Sequence, residues 1–209
     1  TGLVLGLVTI CTGGRTDFPI IDITLVAATA FWGALVPFWL NTRWKAPGTL
    51  ALVLGVMILL STWAAMLRFQ VDPPVLLSLL GISWVSDSGA YFAGRKWGKH
   101  KLAPQISPGK TWEGVCGGLT AVGIYYVTVY IVFFEGRLAS GIISGLLVFL
   151  AAAVLGIIGD LFESLLKRQA GIKDSGAIMP GHGGMLDRID SLTASMPFLA
   201  VVAEAGLLK

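Results

Sequence analysis

The chain has 209 residues, 55% of them hydrophobic and only 13% charged, with a formal net charge of +3. Its mean hydropathy is +0.80, and a soluble domain carries about 25% charged residues, so a soluble fold is excluded and an integral membrane protein with several spans is indicated. Two cysteines, Cys11 and Cys116, stand far apart in apolar runs, which argues against a disulfide framework and against zinc spacing.

Apolar segments recur at roughly 2–12, 20–40, 48–67, 74–94, 114–134, 139–166 and 191–208. The expected fold is therefore all-α, a polytopic membrane helix bundle with about seven transmembrane helices. Pro19, Pro47, Pro73 and Pro74 stand at segment edges, where proline starts a helix without losing a needed donor. The chain opens with Thr1 inside an apolar run and without a basic leader, so further helices are expected before it. Residues 1–70 read as N-terminal transmembrane helices, and 71–209 as the region that holds every polar motif. If all seven segments cross, loops 41–47, 95–113 and 167–190 share one side and hold eleven of the fifteen lysines and arginines. The positive-inside bias places that side in the cytoplasm.

The fourth segment carries polar residues that packing alone does not require. Ser83, Asp87, Tyr91 and Gly94 fall on nearly one helical stripe. An intramembrane carboxylate is costly unless paired, so Asp87 is expected to face a polar cavity, with a structural ion pair as the alternative. Loop 95–113 follows. Its Gly109-Lys110-Thr111 fragment resembles the end of a phosphate loop, but position 104 is proline where the pattern needs glycine, and no strand is expected before it. What remains is a basic loop ending in Ser107, Lys110 and Thr111, suited to phosphate at a helix N-terminus. Arg95, Lys96, Lys99 and Lys101, with His100 among them, read as a collar for anionic headgroups.

In the sixth segment Asp160, Glu163, Ser164 and Lys167 fall at i, i+3, i+4 and i+7, one helical face, while Leu161, Phe162, Leu165 and Leu166 cover the other. Loop 167–190 then gathers Lys167, Arg168, Lys173, Asp174, Asp187, Arg188 and Asp190, with His182 among Gly181, Gly183 and Gly184. Cations beside carboxylates at the end of a membrane helix suit a metal-bound polyphosphate. Mg²⁺ takes one or two protein carboxylates and shares its remaining shell with water and phosphate oxygens, while lysine and arginine neutralise the rest. Asp160 and Asp187 would bridge one metal if the sixth and last helices pack together. Asp187 and Asp190, at i, i+3, are expected on one face near a helix start; the alternative is favourable charge at that N-terminus, with Arg188 pairing one of them.

The run S-x-L-K-R-x4-K-D-x-G-x2-M-P-x-H-G-G-M-x-D-R-I-D, from Ser164 to Asp190, resembles the signature of the phosphatidate cytidylyltransferase (CDP-diacylglycerol synthase) family. Met179 stands where Ile, Leu or Phe is usual, a mild apolar exchange. S-D-S-G-A-Y-F-x-G (86–94) and S-P-x-K-T-W-E-G (107–114) also resemble family motifs, in the expected order. The resemblance covers the C-terminal two thirds of the chain. It implies a bacterial inner-membrane enzyme, with its site facing the cytoplasm, that converts CTP and phosphatidic acid to CDP-diacylglycerol and pyrophosphate. It also implies Mg²⁺, with help from a monovalent cation such as K⁺, and a homodimer among membrane lipids. Carried to matching positions, Asp160 and Asp187 are metal ligands with Asp190 close by, and Lys167, Arg168 and Lys173 hold phosphates. Asp87 and Tyr91 are expected to line the inner wall of the substrate cavity.

Two rivals are weaker. A CTP-dependent polyprenol kinase would transfer the γ-phosphoryl group, and the GHGG-x-x-DR-x-D run argues against it. An ion-coupled transporter would use Asp87 and Asp160 as ion sites, but no internal repeat is visible. Nucleic acid is not an expected partner, because no aromatic-basic platform stands outside the membrane segments.

Overall fold

The computed structural model describes residues 19–134, 141–176 and 184–207. Helix α1 (Pro19–Ala30) runs through a π-helical turn (Phe31–Leu35) into α2 (Val36–Thr42). It is followed by α3 (Gly48–Phe69), α4 (Pro73–Trp97), strands β1 (Lys101–Ala103) and β2 (Ser107–Thr111), and α5 (Trp112–Val129). Helix α6 (Gly141–Gln169), a 3₁₀ turn (Leu186–Arg188) and α7 (Asp190–Glu204) complete the described chain. Among the described residues, five stretches are long and apolar enough to cross a membrane: Ile21–Thr42, Gly48–Phe69, Pro73–Trp97, Trp112–Val132 and Ile142–Gln169. Segment 2–12 lies outside the described residues. The expected last span is a helix of only 15 residues.

Helix α7 is the pillar of the bundle. Leu192, Ala194, Met196, Leu199, Ala200 and Val202 are buried, and so are Ser191, Thr193 and Ser195. A helix buried all round needs no lipid face, because α1, α3 and α6 surround it. Pro197 inside it has no N–H for the carbonyl of Thr193. That oxygen accepts instead from Thr62 Oγ1 on α3, at a long 3.5 Å.

Two contacts fix the architecture around the site. Helices α4 and α5 pack antiparallel through small residues: a Cβ on Gly117 would lie 2.2 Å from the Ala93 Cβ, and one on Gly89 would lie 2.7 Å from the Ala121 Cβ. In lipid, where apolar surface gives no net drive, such close backbone approach supplies the packing. On the other flank, Leu161, Phe162 and Leu165 of α6 are buried against Trp32 and Trp39. The Phe162 ring meets Trp32 and Trp39 edge-on at 5.5 and 5.2 Å.

The three basic loops do meet at one end. Gln169 Nε2 donates to the carbonyls of Arg43 (3.2 Å) and Trp44 (3.0 Å), and Arg168 Nε donates to the carbonyl of Ile106 (3.4 Å). At the opposite end Arg68 of α3 pairs with Asp22 of α1 and Glu204 of α7.

Candidate active site

The polar face of α6 points at the α4–α5 pair and at the start of α7. Asp160 lies nine residues below the end of α6 at Gln169, about 14 Å, and Asp87 lies ten residues below the end of α4 at Trp97, about 15 Å. Both carboxylates therefore stand at one depth along the bundle, Asp160 half-buried and Asp87 exposed. Close backbone approach brings α7 to them: a Cβ on Gly159 would lie 2.7 Å from the carbonyl oxygen of Asp190. Asp87, Asp160 and Asp190 consequently lie within electrostatic range of one another, with Glu163 beside Asp190.

The β-hairpin supplies the first cation. Strand β2 pairs antiparallel with β1, Lys101 opposite Thr111 and Ala103 opposite Ser107. Gly109-Lys110-Thr111 thus forms part of a strand running straight into α5, with β1 before it, which corrects the expectation that no strand precedes the fragment. The fragment still lacks the glycine loop of a phosphate-binding P-loop, and Lys110 instead reaches into the bundle, its Nζ 2.5 Å from Asp160 Oδ2. The Thr111 hydroxyl caps α5, accepting from Gly114 N–H at 3.1 Å, and Thr111 is 5% exposed. His100, at the exposed end of the hairpin, is paired with Glu113. Its ring Nδ1 lies 2.6 Å from Glu113 Oε1 and its backbone N–H also points at that carboxylate, so it closes the base of the hairpin.

The second cation is Lys167. Its ammonium bridges Glu163 Oε2 at 3.0 Å and Asp187 Oδ1, joining the helix to the loop that follows it. The other oxygen of Asp187 accepts from Ser175 N–H (2.9 Å), Ser175 Oγ–H (2.8 Å) and Gly184 N–H (2.7 Å). Gly184 is required at this crowded point, since a Cβ there would lie 2.2 Å from Ser175 Oγ. Burial alone would raise the Asp187 carboxyl, but the Lys167 ammonium and the Ser175 and Gly184 donors hold it well below the usual carboxylate range. Asp187 stands in the 3₁₀ turn, whereas Asp190 opens α7 and accepts from Ser191 N–H at 2.6 Å. The two acids therefore do not share one helical face, which corrects the expectation from their i, i+3 spacing. The turn between them resets the register.

A family model described as "Cytidylyltransferase family" matches residues 2–205. The chain belongs to the cytidylyltransferase family. It is 38% identical over 205 residues to the phosphatidate cytidylyltransferase of Haemophilus influenzae, covering 90% of this chain and 70% of that protein. It is 39% identical over 194 residues to the phosphatidate cytidylyltransferase of Pseudomonas aeruginosa, covering 90% of this chain and 65% of that one. The protein of that name from Bacillus subtilis is 48% identical over 118 residues, 56% of this chain and 43% of its own length. The chain is thus a member of a family of transferases of phospholipid biosynthesis.

For this cytidylyltransferase-family chain, the structure brings together Asp87, Lys110, Asp160, Glu163, Lys167, Asp187 and Asp190. Ser164 lies within reach of Asp160, its Oγ 3.4 Å from Oδ1. Arg168 ties α6 to the hairpin rather than to an acid. Tyr91 is exposed on α4 and accepts from Arg95 Nη1 at 3.0 Å, one turn from Asp87. Ser107 begins β2 at the hairpin rim, Lys173 and Asp174 are exposed in the turn after α6, and Arg188 is exposed in the 3₁₀ turn. His182 and Gly183 lie outside the described residues. Two residues of the cluster were not singled out as functional from the sequence. Glu163 was visible on the Asp160 face, and its spacing to Lys167 could have marked it; Ser175 gave no signal, because its partner Asp187 is twelve residues away.

Proposed function

We propose that the chain transfers the cytidylyl group of CTP to phosphatidic acid, giving CDP-diacylglycerol and releasing pyrophosphate. The observation that carries this reading is the coincidence of family with geometry: two lysines and five carboxylates form one cluster that runs from one end of a membrane bundle down to Asp87 and Asp160, some 14–15 Å (about ten helical residues) below it. A site at that depth is within reach of a lipid phosphate from the side and of a nucleotide from the basic end.

The nucleophile is a phosphate oxygen, already an anion, so it needs little help from a base. The barrier is the approach of one anion to another at the α-phosphorus of CTP. Lys110 and Lys167 would neutralise phosphate oxygens and fix their positions, with Arg168 and Lys173 at the rim and Ser107 beside them. Asp87 and Tyr91 would line the inner wall of the substrate cavity.

The residues present fit Mg²⁺. Lysine ammonium groups already sit on Asp160 and Asp187, so both carboxylates accept a cation. Glu163 Oε1 is buried without a hydrogen-bond partner. Among the described residues no three acids or histidines stand close enough to hold a metal, and Mg²⁺ requires only one or two carboxylates. Asp160 and Asp187 would hold it, with Asp190 adjacent. When bound, the metal supplies charge neutralisation at the α-phosphate and the leaving pyrophosphate. The surplus of acids around Asp87 and Asp190 would also accept a monovalent cation such as K⁺. In this reading residues 71–209 form the catalytic region, 1–70 contribute supporting helices, the basic end faces the cytoplasm of a bacterial inner membrane, and the enzyme acts as a homodimer.

The test is an assay of the purified protein for lipid-extractable label from CTP. Label is expected only with phosphatidic acid and Mg²⁺ together, with loss on EDTA and recovery on added Mg²⁺. Equal labelling without a divalent cation would contradict the metal assignment, and labelling independent of phosphatidic acid would contradict the substrate.

A further inference from the structure

We infer that Glu163 is a positioning residue that fixes the ammonium group of Lys167 for phosphate binding. The inference rests on the cytidylyl-transfer reading of this site. Glu163 is 6% exposed, and a buried carboxylate is costly unless something compensates it. Its Oε2 meets Lys167 Nζ at 3.0 Å one helical turn away, while its Oε1 has no hydrogen-bond partner. Asp187, across the lysine, adds like charge, which makes the burial still less favourable. For packing alone an apolar side chain would serve better, and beside its contact with Asp190 the engagement that gives Glu163 a role is its ion pair with Lys167.

Lysine needs such an anchor. Its charge rides on a flexible four-carbon stem, so position has to come from its partners. Lys167 has two of them. Asp187 belongs to the loop after α6 and is also the candidate metal ligand; when its oxygens turn to a metal, its hold on the lysine weakens. Glu163 shares a helix with Lys167 and stays at a fixed spacing throughout. It keeps the ammonium on the site side of α6 when Asp187 is engaged elsewhere.

A double-mutant cycle tests this with Glu163→Gln, Lys167→Met and the pair. Each single change is expected to lower kcat/KM at least tenfold, whereas adding Glu163→Gln to Lys167→Met should cost no more than about twofold further, because residues acting as a unit are not additive. The same cycle read on CTP affinity without phosphatidic acid should show the same loss of additivity. Costs that multiply in both cycles would overturn the inference, since Glu163 would then act independently of Lys167. Glu163→Asp keeps the charge but retracts it by one methylene, and should fall between wild type and Glu163→Gln; activity below that of Glu163→Gln would also count against it. Absence of CDP-lipid from the wild-type protein would instead overturn the assigned reaction, and the CTP-affinity cycle would still decide the role of Glu163.

Discussion

On the Asp187 carboxylate four donors converge: Lys167 on one oxygen, and Ser175 N–H, Ser175 Oγ–H and Gly184 N–H on the other. This one side chain thereby ties the turn after α6 at Ser175 to Gly184 and the 3₁₀ turn. Asp187→Asn is expected to lower turnover by at least about a hundredfold while the protein still inserts and purifies; turnover within tenfold of wild type would remove Asp187 from the metal set. Lys110 is the second residue on which the account depends. Lys110→Met should lower kcat/KM by roughly tenfold or more, because Asp160 loses its partner and the nucleotide loses a cation, and unchanged kcat/KM would confine Lys110 to a structural role. The residues of this cluster were legible from the sequence in proportion to their spacing. Asp160, Ser164 and Lys167 share one helical face by arithmetic, whereas the Ser175–Asp187 bond depends on a loop path that no periodicity encodes.

Among the elements, the α4–α5 hairpin carries the most structural meaning. The glycines of its motifs could be read as room for a ligand, yet Gly89 and Gly117 are where the helix backbones touch. Gly117→Val is expected to destabilise the protein by about 1–3 kcal/mol through overpacking, seen as a lower melting temperature in detergent; an unchanged melting temperature would show that the helices can separate freely. Thr111 separates two roles for the β2–α5 junction. As a cap its hydroxyl serves Gly114 N–H, so Thr111→Val should cost about 1 kcal/mol of stability while Thr111→Ser stays near wild type in both stability and CTP affinity. A large rise in the KM for CTP with Thr111→Ser would restore it as a direct ligand. The hairpin itself was not legible, because three- and five-residue strands between two membrane helices leave no period to detect. The aromatic seam of Trp32, Trp39 and Phe162 was legible only as the apolar half of α6.

For the whole molecule, hydropathy was enough to announce a helical membrane bundle, since an apolar run of span length has few alternatives. It does not by itself separate the last helix from a lipid-facing span, because a stretch buried among protein helices is as apolar as one facing lipid, and α7 is 15 residues long. Charge counting did group the loops that the structure brings together at Arg43, Ile106 and Arg168. The sidedness that follows has its own test. In a protein freed of native cysteines, Val71→Cys should react with a membrane-impermeant maleimide on intact cells, and Ala170→Cys only after permeabilisation; the reverse pattern would invert the bundle and put the site on the wrong side for nucleotides. The central claim is the bond that is broken. CTP labelled at the α-phosphate in one sample and the γ-phosphate in another, each incubated with the purified protein, phosphatidic acid and Mg²⁺, reads it directly. The account predicts that α-label enters the lipid and γ-label leaves as pyrophosphate. Appearance of γ-label in the lipid, with CDP released, would contradict it.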